Sequence, residues 1–147
     1  MLAFTLLAGV AFLARDVLGE GVHLLNCRSF GEASSDHTFL SIVAYCADDA
    51  NCSSVGYNIP ANDACVVSSS TAYEDWHQWE GGSQSCTFAS TGVTFTWDIP
   101  SNAQSLPNYS SVRTGSNGFK TFGGYKDDSL NGANYNYHSC IKKYYYV

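Results

Sequence analysis

Six cysteines, Cys27, Cys46, Cys52, Cys65, Cys86 and Cys140, constrain this chain of 147 residues more than any other feature. An even count in a short chain reads as three disulfides, a framework that forms in oxidising, extracellular settings and rarely in the cytosol. Each bridge contributes about 2–4 kcal/mol, a large part of a small domain's net stability. Spacing alone leaves the pairing open. A zinc site fits less well, because no Cys-x-x-Cys occurs and the nearest spacing is Cys46-x5-Cys52.

The N-terminus agrees with an exported chain. Met1 to Ala14 is an unbroken run of apolar and small residues, too short to span a bilayer but suited to the apolar region of a signal peptide. We read residues 1–19 as that peptide, cut after Gly19 with Ala14 as a second position, and residues 20–147 as one secreted domain. A basic segment before the run is missing, since the first basic residue is Arg15, and a buried helix is the competing reading. Cleavage leaves 12 acidic against 6 basic side chains, so the net charge stays at −6. That sign excludes a nucleic-acid binder, which needs a basic stripe to neutralise phosphates. No second stretch is apolar enough to span a membrane. Asn51-Cys52-Ser53 and Asn108-Tyr109-Ser110 are glycosylation sequons; Asn108 lies in the more open stretch, and a bridge at Cys52 competes with modification of Asn51.

The pattern is that of strands. Val93, Phe95, Trp97 and Ile99 alternate with polar residues and stop at Pro100, which predicts a half-buried strand. Thr38–Cys46 is apolar on both faces and predicts a central strand. Further strands are expected over Gly21–Cys27, Ala64–Ser68 and Cys140–Val147, with shorter ones at Val55–Ile59, Cys86–Ala89, Phe119–Tyr125 and Asn134–Tyr137. Turn formers separate them at 48–51, 60–63, 81–83, 115–118 and 131–132. The polar stretch Ser101–Gly118 is expected to be the longest loop. The fold class that follows is all-β, a small antiparallel sandwich or barrel of Greek-key type stapled by disulfides.

The segment Tyr125–Cys140 (YKDDSLNGANYNYHSC) places an aromatic, acidic residues, a glycine and then a tyrosine in order. In this it resembles the hairpin of βγ-crystallin-type Greek keys. Asp48-Asp49-Ala50-Asn51-Cys52-Ser53 resembles that family's calcium loop, with Cys52 as the departure. The resemblance implies hard oxygen ligands there; an ordinary acidic turn is the competing reading, and we assign no metal. The short leader, GVHLLNC, the six cysteines and the Tyr-rich end together resemble small cysteine-containing secreted proteins of fungi, a group that includes effectors, toxins and carbohydrate binders.

Two chemistries compete within Tyr73-Glu74-Asp75-Trp76-His77-Gln78-Trp79-Glu80. As a binding platform, Trp76, Trp79 and Gln78 would stack on sugar rings or anchor a protein interface, unless the indoles fill the core. As a hydrolase, His77 would exchange protons with Glu74 or Glu80 at a glycosidic or phosphodiester bond. His138 would be the second histidine in a ribonuclease version. No phosphate loop, dinucleotide fingerprint or Gly-x-Ser-x-Gly occurs, so no cofactor is implied. The sequence thus favours a secreted, non-catalytic recognition protein, effector- or toxin-like, whose partner is an extracellular polysaccharide or a host or competitor protein. A small secreted hydrolase and a structural surface protein are the alternatives.

Overall fold

The computed structural model describes residues 19–30, 37–128 and 132–147; apart from Gly19, the expected signal peptide lies outside them, as does Asn131 of the expected turn at 131–132. The chain forms β1 (Gly21–Ser29), β2 (Phe39–Cys46), a helical turn α1 (Asp49–Cys52), β3 (Ala64–Ser70), β4 (Gly82–Thr87) and β5 (Thr94–Ile99). There follow β6 (Ser111–Ser116), β7 (Thr121–Lys126), β8 (Asn134–Tyr135) and β9 (His138–Tyr146). The strands make one antiparallel sheet in the order β3-β2-β1-β9-β7-β6-β5-β4, with β8 added to β9. This sheet curls almost into a closed barrel. Its two end strands are tied by Cys65–Cys86. Cys27–Cys140 joins directly opposed positions of β1 and β9, and Cys46–Cys52 ties α1 to the end of β2.

Side chains alternate across a strand, and here both faces of β1 and β2 find cover. Val22 and Leu24 point into the barrel with Val43, Phe95, Trp97, Phe122, Tyr144 and Tyr146. Leu25, Ile42, Ala44 and Cys140 point outward, where Cys52, Ile59 and Ala133 cover them in a second core. The two-faced apolar run of β2 is therefore buried on both faces and paired on both edges, with β1 and β3, although it stands second from the end of the sheet order. β5 buries Phe95, Trp97 and Ile99 and turns Thr96 outward.

Glycine makes room for two interior rings, Tyr146 and Phe95. A Cβ on Gly124 would stand 2.4 Å from both Tyr146 Cε1 and the Arg113 carbonyl oxygen, and one on Gly115 2.5 Å from Phe95 Cζ. The far end of the barrel is filled by the connection from β3 to β4. There the Trp79 indole donates to Asn26 Oδ1 at 3.0 Å, the Ser41 hydroxyl donates to the same atom at 3.2 Å, and His77 N donates to Ser41 Oγ at 2.9 Å. The Tyr144 hydroxyl donates to buried Glu80. Burial first, then that bond, pushes the Tyr144 hydroxyl far above its ordinary range.

Several local expectations change. β4 begins at Gly82, inside the turn expected at 81–83, and ends at Thr87, within the strand expected at Cys86–Ala89. Val55–Ile59 is a turn rather than a strand: Gly56 takes φ +85°, residues 54–56 are exposed, and only Asn58 forms a bridge, to Asn134. The stretch Ser101–Gly118 is not one loop, since β6 occupies its second half. The turn at 48–51 winds into α1, because the Asp48 side chain accepts from Ala50 N and caps it.

Candidate functional site

The end of the barrel opposite the Trp79 plug is open. A cavity of about 270 Å³ lies there, its floor made by Val22, Phe88, Val93 and Phe95 and its rim by Glu20, Tyr45, Asn62, Asp63 and Asn117. These residues come from the segment before β1, the end of β2, the turn before β3, the β4–β5 connection and the β6–β7 turn. Barrel mouths are a common place for small-ligand sites.

Glu20 organises the rim. The Tyr45 hydroxyl donates to Glu20 Oε2 at 2.9 Å, and Lys120 Nζ donates to Oε1 at 3.2 Å. These two bonds, Tyr45 first, hold the Glu20 carboxyl below its ordinary 4.5 against the opposing effect of burial. The same bond pushes the Tyr45 hydroxyl up, with burial and Asp63 adding to it. The rim therefore carries two carboxylates and one ammonium, with neutral amides between them.

A second, shallower depression adjoins the mouth, sharing Thr91, Val93 and Asn117 and ending at Phe119. Phe119 is 88% exposed. Its turn is fixed: Asn117 Oδ1 accepts from Phe119 N at 2.9 Å and Lys120 N at 2.7 Å, and Gly118 takes φ +85°. An Asx turn of this type needs no outside support, so the ring stands beside the mouth with its face available.

The residues singled out in the sequence are dispersed. Trp79 is 2% exposed and packs on Trp97, so it offers no face to a ligand. Trp76 is half-buried edge-on to Phe39, at 5.5 Å between ring centres, and Gln78 is exposed. His77 donates from its ring to Gln84, Glu80 accepts from Tyr144, and Glu74 is exposed. No hydrogen bond joins these three. His138 bonds Thr38 and the Asn136 carbonyl.

In the acidic turn compared with a calcium loop, Asp49 accepts from His23 at 2.6 Å. Among the described residues no group of three or more His, Cys, Asp or Glu side chains is arranged to hold a metal. Asn108 is exposed, with its Oδ1 accepting from Asp128 N at 3.1 Å. Asn51 is half-buried next to the bridged Cys52.

Sequence reasoning missed the mouth. Its one local signal is Asn117-Gly118-Phe119, an Asx-Gly turn whose aromatic, expected as the first residue of a strand, precedes β7 and stays exposed; the other lining residues are distant in the chain. No protein-family model, curated protein or solved structure matches this chain.

Proposed function

We propose that the protein is a secreted, non-catalytic recognition module that binds carbohydrate at the open mouth of its barrel. The observation that carries this reading is Phe119, an exposed aromatic on a self-supported turn beside a cavity with an apolar floor and a rim of carboxylate, amide and phenol groups. A sugar ring offers an apolar face for such an aromatic and hydroxyls for such a rim. Three disulfides support an oxidising destination. The commitment of His77 to Gln84 and of Glu80 to Tyr144 supports binding over hydrolysis, because a proton-transfer pair must reach the same bond.

The test is depletion of the oxidised protein from solution by chitin, β-glucan and cellulose, with soluble sugar assayed in the same tubes. Binding to at least one without sugar release is expected. Phe119→Ala should weaken it by about tenfold, whereas Trp76→Ala should leave it near wild type. Release of sugar, or undiminished binding by Phe119→Ala, overturns the proposal.

A further inference from the structure

We propose that the barrel mouth selects sugars that carry a protonated primary amine, as deacetylated chitin does, over neutral sugars; this rests on the reading of the mouth as a carbohydrate site and adds what that site discriminates. The rim has three charged side chains, and two of them offset each other. Glu20 and Lys120 form an ion pair at 3.2 Å. The third, half-buried Asp63, lines the same cavity. Among the described residues no side chain bonds to or pairs with its carboxylate.

Asp63 is held in place by its turn. Its backbone N–H donates to the Pro60 carbonyl at 2.9 Å, and the Ser90 hydroxyl, from the β4–β5 connection, donates to the Asn62 carbonyl at 2.9 Å. The carboxylate therefore stays at the lip, beside the Tyr45 hydroxyl, which the Glu20 bond, burial and then the charges of Glu20 and Asp63 push up. A ring seated on the apolar floor displaces water from the lip, and with it part of the hydration of a carboxylate that no cation of the protein replaces. A neutral sugar leaves that loss uncompensated. An ammonium on the ring offers N–H donors to the carboxylate in a charge-assisted bond. Phe119 beside the mouth adds a π face, which also favours a cation. Longer-range charge points the same way, because a net charge of −6 attracts an amino sugar and repels a uronic acid.

The test is calorimetric titration with three linear trimers: the glucosamine trimer, its fully N-acetylated form and cellotriose, in mildly acidic buffer where the free amines are protonated. The quantity read is the affinity for the glucosamine trimer relative to cellotriose. It is expected to be about fivefold in the wild type and to shrink as salt is added. The acetylated trimer keeps the nitrogen but loses the charge, and should match cellotriose. Asp63→Asn should bring the ratio close to one. Lys120→Met should raise it, because Glu20 is then also uncompensated. Glu74→Gln makes the same charge change on the connection that plugs the opposite end, and should leave the ratio at its wild-type value, which separates the rim from net charge. A wild-type ratio of one, a ratio that survives Asp63→Asn, or an equal fall in Glu74→Gln overturns the proposal and leaves the carbohydrate reading standing. Binding of none of the three trimers overturns both.

Discussion

Glu20 receives its two hydrogen bonds from groups that differ in kind, a phenol and an ammonium, and they are separable by substitution. The Tyr45 hydrogen bond is the largest single cause of the lowered carboxyl, while Lys120 acts through both a hydrogen bond and its charge. Tyr45→Phe and Lys120→Met should each bring the Glu20 titration back towards 4.5, as followed by carboxyl carbon NMR. The sign for stability follows from the direction of the shift. A carboxyl whose folded value lies below its unfolded value contributes stability that is present above pH 4.5 and is lost as pH falls through the lowered value. Wild type should lose that contribution over this acid window, and Tyr45→Phe should show less of it to lose. Trp79 gives a second contrast. Trp79→Ala should cost about 3–5 kcal/mol in urea unfolding, as a large core ring removed. Trp79→Phe should cost much less, since Asn26 Oδ1 keeps the Ser41 hydroxyl as a donor and loses only one hydrogen bond worth about 1 kcal/mol. If Trp79→Ala instead removed ligand binding without loss of stability, the indole would have to face a ligand.

At the scale of elements, legibility in the sequence tracked side-chain burial. β5 announces itself because Phe95, Trp97 and Ile99 alternate with polar residues, and β2 because both its faces are apolar. β6 and the first residues of β4 were hidden for the opposite reason, the strand expected at Cys86–Ala89 catching only the end of β4. Ser111–Ser116 presents only Val112 and Gly115 to the interior, and Gly115 contributes space rather than surface. Gly82–Thr87 buries Cys86 alone. Val55–Ile59 misled because Ile59 and the half-buried Tyr57 pack on the second core while Val55, Gly56 and Asn58 face solvent; two apolar anchors without a strand partner do not make a strand. The β6–β7 pair offers a direct test of the space argument. Gly124→Ala sets a methyl 2.4 Å from a carbonyl oxygen and from Tyr146, and one of these contacts is backbone that cannot rotate away. It should cost about 1–3 kcal/mol, with amide exchange rising along β6, β7 and β9. Gly81→Ala meets no neighbouring atom within 4 Å, so its cost should come only from the strain of φ +96°, without loosening that region. The candidate site was unreadable for a topological reason: closing the sheet brings Glu20, Tyr45, Asn62, Asp63 and Asn117 to one rim, and no local pattern encodes that meeting.

For the whole molecule, the three bridges close loops of very different length and act at different places. Cys27–Cys140 spans 113 positions, Cys65–Cys86 spans 21 and Cys46–Cys52 spans 6. Loop-closure entropy alone ranks their contributions at about 5, 3 and 2 kcal/mol in that order. Structure modifies that ranking in a definite direction. Where Cys27 and Cys140 face each other, β1 and β9 are already held by a ladder from Val22 to Ser29, so cutting that bridge should lower global stability without opening any strand pair. β3 and β4 have no ladder between them, so the Cys65–Cys86 bridge is the covalent tie that holds the wall shut there. Replacing both of those cysteines by serine should therefore produce a local effect that entropy does not foresee. Amide protection should fall in β3 and β4 while β1 and β9 keep theirs, and the Trp97 ring behind the gap should become accessible to a neutral quencher such as acrylamide. The Cys27→Ser/Cys140→Ser pair should show the reverse, a larger fall in unfolding free energy with Trp97 still shielded. Uniform loss of protection in both double variants would mean that the seam is held by packing of the barrel core, and that the bridge across it is a staple no different from the others.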